Sequence, residues 1–376
     1  MSQSFDVIVL GVGGMGSAAC FELARRGRRV LGLEQFPLVH ARGSSHGQTR
    51  IIRTAYAEHP SYVPLVRRAF EKWYELEQLT GRHLLTACPC LNVGVPGSEH
   101  VAGVRASVRE HGLAAEELGG HEVNVRFPTF SFPGYYRGVV EQAAGFLYVE
   151  EGVRAHIDSA LPLGAEIHAE EAVRGWKEVG DGVEVTTEKG TYRAAKLVVT
   201  AGAWATKLLA DIGVPLRVMR QVMTWFDAGP HPLSFHASEF PIFIADVPGG
   251  PFYGLAAIDR FGLKVARHYN APELPNPDGV NWNTTPEDEQ PVRAFLDAHI
   301  PGVGPLTKAQ VCMYTVTPDK HFVIDVHPAF PRVSVACGFS GHGFKFATVV
   351  GEILADLAEQ GKTSHDIGMF RATRFA

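Results

Sequence analysis

The sequence has no apolar run of membrane-spanning length, few cysteines and no excess of positive charge. A spanning helix needs about 20 consecutive apolar residues. The 376 residues include 35 Lys and Arg against 40 Asp and Glu, a formal net charge of −5, so neither nucleic acid nor anionic lipid is expected as a partner. The five cysteines are an odd number without framework spacing, which argues against a disulfide-stapled secreted domain.

Neither end of the sequence has the pattern of a targeting signal. Residues 1–6 lack the basic and long apolar regions of a signal peptide, and residues 373–376 do not form a peroxisomal Ser-Lys-Leu address. Cys88 and Cys90 have the wrong spacing for a redox or zinc motif, so we predict a structural role for them and no metal centre. We expect a cytoplasmic protein, and the length predicts two domains.

The first 34 residues predict a strand–helix–strand unit. Residues 5–10 are apolar and β-branched, as in a strand buried on both faces of a parallel sheet. Residues 17–26 are rich in helix formers, and residues 29–34 read as the second strand.

Three glycines between the first strand and the helix have the spacing of a dinucleotide-binding turn. Gly11 allows the tight turn, Gly13 lets the backbone approach a pyrophosphate, and Gly16 lets helix and strand pack closely. The helix N-terminus offers free N–H groups and partial positive charge to phosphates. Glu34 can accept hydrogen bonds from a ribose diol, so the unit predicts a bound adenine dinucleotide.

Later segments repeat the strand–helix alternation and make this domain discontinuous. A strand ending at residue 200 precedes a short helix at 205–209, and a strand at 332–336 precedes a helix at about 345–359. We predict an α/β fold, α+β overall, with a discontinuous Rossmann-like dinucleotide-binding domain and a substrate domain built on a mostly antiparallel β-sheet. The first would comprise residues 1–83, 146–215 and 312–376, and the second residues 84–145 and 216–311.

A second strong element, residues 43–53, combines two glycines, three hydroxyls, a histidine and two arginines. Arg50 and Arg53 flank an Ile-Ile pair, and burying them without anions is costly. Each guanidinium can hold a carboxylate or a phosphate through a bidentate fork. Their place directly after the ribose-binding acid favours a functional site over two surface arginines.

Cys312 lies between two segments that resemble cofactor-binding loops. A free cysteine is usually a small buried hydrophobe. Here it stands in a polar and aromatic run, and the glycine-rich stretch 338–345 follows it. A thiol in this place can attach to the cofactor.

With these motifs in order, the whole chain resembles the monomeric sarcosine oxidase family of flavoproteins, which includes N-methyl-tryptophan and pipecolate oxidases. The resemblance is carried by residues 11–16, 43–53, 201–204, 311–314 and 338–346. It implies FAD as cofactor, oxidation of a secondary amino acid's C–N bond to an imine, and reoxidation by O₂ to give H₂O₂. For sarcosine the products would be glycine and formaldehyde, and a monomer is expected.

The resemblance also assigns roles to single residues. It implies that Cys312 forms a thioether to the flavin 8α-methyl, that Arg53 and Lys345 grip the substrate carboxylate, and that Lys264 activates oxygen. Positive charge beside the flavin would stabilise the charge that O₂ acquires. Cofactor contacts are implied for Gly11, Gly13, Gly14, Met15, Gly16, Glu34, Ser44, His46, Thr49, Arg50, Gly341, Gly343, Phe344 and Lys345, and catalytic or substrate contacts for Arg50, Tyr253, His268, Tyr314 and His342.

Three positions depart from the family pattern. Ser45 replaces the second histidine of a His-His pair, in a form closer to the eukaryotic pipecolate and sarcosine oxidases. Arg267 stands beside His268 where an aromatic or neutral residue is expected, and Glu34 replaces Asp with the ribose contact kept. Sarcosine is therefore the first expectation for the substrate, with a bulkier or cyclic secondary amino acid (N-methyl-tryptophan, pipecolate or proline) as the alternative.

Two other functions fit part of the sequence. An NAD-dependent dehydrogenase would use the first strand–helix–strand unit equally well, but it leaves Cys312 and the loop at 338–343 without a role. A flavoprotein that passes electrons to a protein acceptor, or that does not turn over, would use both. Two measurements separate these cases. One is whether acid releases the flavin from the Cys312→Ser protein, and the other is whether Lys264→Met slows reoxidation by O₂.

Overall fold

The computed structural model describes residues 4–269 and 271–376. The strands within these ranges are β1 (Ser4–Leu10), β2 (Val30–Leu33), β3 (Thr49–Arg53), β4 (Leu85–Ala87), β5 (Cys90–Gly94), β6 (Ala115–Gly119), β7 (Arg137–Glu141), β8 (Ala144–Tyr148), β9 (Glu166–His168), β10 (Val173–Val179), β11 (Gly182–Thr187), β12 (Thr191–Val199), β13 (Arg217–Phe226), β14 (Ile242–Val247), β15 (Gly250–Leu255), β16 (Leu263–Arg267), β17 (Glu273–Leu274), β18 (Leu306–Val316), β19 (Val323–His327) and β20 (Phe330–Cys337). The helices are α1 (Gly14–Arg25), α2 (Tyr62–Thr80), α3 (Glu99–His111), α4 (Gly120–Arg126), α5 (Val149–Ala160), α6 (Ala205–Leu208), α7 (Pro286–His299) and α8 (Ala347–Gln360).

The first sheet has a parallel centre in the order β20–β12–β1–β2–β9, with β10–β11 and β19 added antiparallel. Strand β2 and residues 7–10 of β1 are apolar because both faces of the sheet are buried there. Val7 and Val9 face the core that α1, α2, α5 and α8 share, while Ile8 and Leu10 face a second core. The predicted α/β class and the first strand–helix–strand unit are confirmed.

The first helix begins earlier than predicted, at Gly14 rather than at residue 17, because the last glycines of the motif form its first turn. Near the C-terminus, Phe344–Phe346 form a 3₁₀ turn, and α8 begins at Ala347, close to the predicted start at about residue 345. Neither helix, nor any other in the described ranges, is long and apolar enough to cross a membrane.

The second sheet has the order β17–β13–β16–β15–β14–β5–β7–β6, and β18 pairs with β13. All its pairings are antiparallel except β14 with β5. Strand β18 crosses the predicted boundary between residues 311 and 312, and its pairing with β13 from Arg217 to Phe226 assigns all of it to this sheet. That boundary was drawn too early, and the division into two domains stays a prediction.

A small third sheet positions the arginine-rich run. Strand β3 carries Arg50 and Arg53 and pairs antiparallel with β8, which also pairs with β4. The segment before β3 makes a sharp turn, in which Gly47 and Gln48 have φ of +87° and +71°. A left-handed Gln is uncommon, and such strain clusters at functional sites.

Candidate active site

One cavity of about 900 Å³ collects most of the predicted site residues. Both large sheets and the segment before β3 contribute to its walls. The predicted residues that line it are Gly11, Gly13, Gly14, Met15, Glu34, Ser44, Arg50, Arg53, Tyr253, His268, Cys312, Tyr314, Gly341, His342, Gly343, Phe344 and Lys345. Gly16, His46, Thr49 and Lys264 lie outside this lining.

The glycine turn has the shape that a pyrophosphate needs. A Cβ atom on Gly16 would lie 1.8 Å from the carbonyl oxygen of Gly11, so this glycine serves packing. A Cβ on Gly13 would find its nearest atom, Ser45 Oγ, at 3.7 Å, so the space above the turn is open. Ser45 Oγ accepts a hydrogen bond from the Gly14 N–H at 3.1 Å, within the first turn of α1.

Glu34 stands at the end of β2 as predicted. Its Oε2 accepts from the Val12 N–H at 3.0 Å and its Oε1 from the Phe36 N–H at 3.1 Å. A carboxylate has about four acceptor sites, so capacity for a ribose diol remains. With the open space above Gly13, these residues fit an adenine dinucleotide.

Cys312 is buried in β18 with Arg50 beside it. Arg50 Nη2 lies 3.7 Å from the Cys312 sulfur and also donates to the Ser44 carbonyl at 2.9 Å. The Ser44 hydroxyl donates to the carbonyl of Met313 at 2.6 Å, which ties the loop to the strand. Burial raises the pKa of the Cys312 thiol, and the Arg50 and Lys264 charges oppose that rise.

Lys264 lies behind the turn at Gly47 rather than on the cavity wall. Its Nζ donates to the carbonyls of Gly47 at 2.7 Å and Thr49 at 2.8 Å, and it stands 5.2 Å from the Trp225 ring centre. Burial, followed by the Arg50 charge, holds the pKa of this lysine well below its usual value. Glu150 accepts from the Gly47 N–H at 2.7 Å, so its carboxylate fixes the turn that holds Lys264.

His46 is also buried behind the cavity wall. Its Nε2 lies 3.1 Å from the Gly43 carbonyl oxygen, and its Nδ1 has no partner among the described residues. Burial lowers the pKa of His46 to about 3, with the Arg50 and Lys264 charges adding to the effect. The ring is therefore neutral at physiological pH.

Arg53 is almost fully buried and already has an anionic partner. Its Nη2 lies 2.9 Å from Glu58 Oε2, and its Nη1 donates to the carbonyl of Ala55 at 2.6 Å. Although burial opposes ionisation, the Arg53 charge holds the pKa of Glu58 well below its usual range. The sequence argument that buried arginines need anions was correct, but it considered only a ligand and missed Glu58.

Tyr56 joins the two cations predicted to bind the substrate. The guanidinium of Arg53 lies 4.6 Å from the Tyr56 ring centre, and Lys345 Nζ lies 3.4 Å from the Tyr56 hydroxyl. The same hydroxyl is 2.7 Å from His342 Nδ1, and His342 Nε2 is 3.0 Å from the Lys320 carbonyl oxygen. Burial and then the Arg53 charge lower the pKa of Lys345 to about 7.

Three aromatic side chains form another part of the cavity wall. Nδ1 of His268 lies 3.0 Å from the Tyr314 hydroxyl, and the Tyr253 ring meets the His268 ring edge to face at 6.0 Å between centres. Burial lowers the pKa of His268 to about 3 and that of His342 to about 4. Both histidines are therefore neutral hydrogen-bonding groups near pH 7.

Known proteins are similar to this chain over nearly its whole length. Residues 6–357 match the family described as FAD dependent oxidoreductase (DAO). The chain is 45% identical to the monomeric sarcosine oxidase of Streptomyces avermitilis over 381 residues, covering 100% of this chain and 99% of that protein. It is 35% identical to the N-methyl-L-tryptophan oxidase of Yersinia pestis (strain Pestoides F) over 374 residues, covering 99% and 100%. The open form of NikD, an unusual amino acid oxidase essential for nikkomycin biosynthesis, superposes with a TM-score of 0.87 at 25% identity, covering 98% of each chain.

Proposed function

Because the chain belongs to the FAD-dependent oxidoreductase (DAO) family, we propose that this oxidoreductase is an oxidase of secondary amino acids with sarcosine as substrate. Sarcosine, O₂ and water would give glycine, formaldehyde and H₂O₂. The observation that carries the proposal is that Arg53 and Lys345 both line the cavity that Gly11, Gly13 and Gly14 also line, and that both lie against Tyr56. Two cations at one point select an anionic group on the substrate.

Arg53 and Lys345 hold the substrate's carboxylate and so fix the position of its amine. A bidentate guanidinium contact orients a carboxylate as well as attracting it, and fixed orientation is a large part of catalysis. The two cations also favour the neutral form of a nearby amine, which has the lone pair needed for electron donation. His268, itself neutral, faces this place without adding a competing charge.

FAD supplies the two-electron acceptor for this reaction. The residues that would hold it are Gly11, Gly13 and Gly14 at the pyrophosphate, Glu34 at the ribose and Cys312 through a thioether to the 8α-methyl. The Arg50 guanidinium beside Cys312 favours the thiolate that forms such a bond.

Lys264 acts through charge at the turn before β3. Its amino group donates to two carbonyls and is shielded from solvent, so in its protonated form it would stabilise negative charge that develops nearby. We assign oxygen activation to Lys264 with Glu150 as the group that positions its turn.

A bulkier secondary amino acid is the second candidate, and the cavity's shape favours it. The lining continues past Glu58 to His100, Glu99 and Asp246, so the space extends beyond the pair of cations. A larger side chain could lie there with its carboxylate still on Arg53. For either substrate we propose a monomeric, cytoplasmic enzyme that uses O₂ as acceptor.

An absorbance spectrum of the purified protein tests the proposal. We expect yellow colour that stays in the pellet after trichloroacetic acid precipitation and that bleaches when sarcosine is added without oxygen. Colour that stays but does not bleach would exclude sarcosine and favour the bulkier substrate, tested next with N-methyl-tryptophan and pipecolate. Flavin released into the supernatant would contradict the thioether to Cys312.

A further inference from the structure

Gln221 lies in β13 with its side chain in the wall of the cavity. It is 3% exposed, and neither its amide nitrogen nor its amide oxygen has a hydrogen-bond partner among the described residues. A primary amide brings two donors and an acceptor. Both polar ends of this side chain are therefore buried without a partner from the protein.

The neighbours of Gln221 explain why the protein offers no partner. Residues two apart on a strand share a face, so Met219 and Met223 flank Gln221 on the same side. Directly across the strand pair stands Cys312, and no hydrogen bond joins its sulfur to the amide. Gln221 is nevertheless one of the residues that line the cavity.

A buried amide without partners is unfavourable, and native proteins rarely leave one so. Between Met219 and Met223, a third apolar side chain would pack at lower cost. The glutamine is thus expected to serve a group that enters the cavity from outside the chain.

We propose that Gln221 is a cofactor-binding residue, whose amide hydrogen-bonds a polar group of the FAD bound in the cavity. The proposal goes beyond the proposed reaction, because it requires only that FAD occupies the cavity. It depends neither on sarcosine as substrate nor on the thioether to Cys312.

The first experiment measures FAD affinity in a protein whose cofactor can exchange. In the Cys312→Ser background, Gln221→Met removes the amide and keeps nearly the same volume. Two hydrogen bonds of ordinary net strength correspond to roughly 10- to 100-fold weaker binding of FAD. Gln310→Met is the matched control, because Gln310 lies on the neighbouring strand opposite Met223 but outside the cavity lining. The control should bind FAD as the background protein does.

A second measurement uses the holoenzyme with Cys312 intact. Gln221→Met should shift the visible absorption maxima and the midpoint potential of the flavin, and Gln310→Met should leave both unchanged. The spectrum and the potential also test the role of Gln221 if acid does not release the flavin from Cys312→Ser. That result would contradict the thioether but not the role of Gln221.

One set of results would contradict the proposal. If Gln221→Met leaves FAD affinity, spectrum and potential unchanged and raises the melting temperature, the amide belongs to an internal water site. The cofactor-binding role would then be wrong.

Discussion

Arg53 Nη2 lies 2.9 Å from Glu58 Oε2, so the cation proposed to hold the substrate already has an anionic partner within the chain. A substrate carboxylate must therefore compete with Glu58. Since Lys345 also lies against Tyr56, the incoming anion would still find a second cation. The ion pair keeps Arg53 in place before binding, and the competition weakens binding of any carboxylate.

Glu58→Gln should strengthen carboxylate binding. Removal of the competing charge is expected to lower the dissociation constant of acetate about tenfold, since a charge-assisted hydrogen bond contributes roughly 1.5–3 kcal/mol. Flavin difference spectra during an acetate titration measure it. Arg53→Met should instead abolish acetate binding, and an unchanged or weaker affinity in Glu58→Gln would exclude the competition.

Carboxylate binding should also depend on pH through Lys345. Its pKa is lowered to about 7, so the lysine is a cation below that pH and is neutral above it. Acetate, which has no amine of its own, should bind more weakly as the pH rises from about 6 to about 9, by at most about tenfold per unit. The dependence should vanish in Lys345→Met, and its persistence there would assign the titration to another group.

Tyr56→Phe should raise KM for the amino acid and lower stability. The change removes the hydroxyl between His342 and Lys345, leaving a buried ring nitrogen unpaired at a cost of about 1–3 kcal/mol. Tyr62→Phe is the matched control, because Tyr62 stacks on Tyr56 but its hydroxyl lies 3.1 Å from His321 rather than beside Lys345. Chemical denaturation should destabilise both variants, whereas steady-state kinetics should show a raised KM only for Tyr56→Phe.

Lys264→Met should slow reoxidation by O₂ about 100-fold or more while reduction by substrate changes little. Glu150→Gln should have a smaller effect in the same direction, because the Glu150 charge raises the pKa of Lys264 and helps keep it charged. Stopped-flow measurement of the two half-reactions separates them. Lys308→Met is the control, since Lys308 also lies over Trp225, at 4.6 Å. Equal loss in both half-reactions would contradict an oxygen site.

Gly13→Ala should weaken FAD binding, whereas Gly16→Ala should destabilise the fold. The methyl group at position 16 would overlap the Gly11 carbonyl, so we expect a loss of about 3 kcal/mol or more in unfolding free energy. At position 13 the nearest atom is 3.7 Å away, so the protein should fold but bind FAD poorly, because the methyl occupies pyrophosphate space. Thermal unfolding and flavin content distinguish the two variants, and normal flavin content in Gly13→Ala would contradict the assigned pyrophosphate position.

The parts of the fold that were predicted correctly depend on short-range patterns. The run at 5–10, the glycine turn and Glu34 lie within 34 residues, and their burial and spacing follow from the local alternation of elements. Strand β18 was divided wrongly because its partner, β13, lies about 90 residues earlier, and pairing over such a distance leaves no periodic signal.

Site residues could be predicted from the sequence only where they belong to a recognisable motif. Arg53 and Lys345 were predicted as site residues from the runs of sequence that carry the resemblance, and both line the cavity, while Glu58, Tyr56 and Gln221 stand in stretches without a motif. Their importance comes from contacts across the fold: Tyr56 reaches Lys345 over 289 positions of sequence. Glu58 is an acid five residues after Arg53, and this spacing could have predicted it as the partner of the arginine.

The position of Cys312 has a consequence for the whole chain. The glycine turn follows a strand of the first sheet, whereas Cys312 belongs to a strand of the second. A cofactor that rests on the turn and is bonded to this sulfur would act as a cross-link between the two sheets. Like a disulfide, it would restrict the unfolded chain and so oppose unfolding. Since the bond can form only after both sheets have come together, the attached flavin would also be a chemical record that the chain has folded.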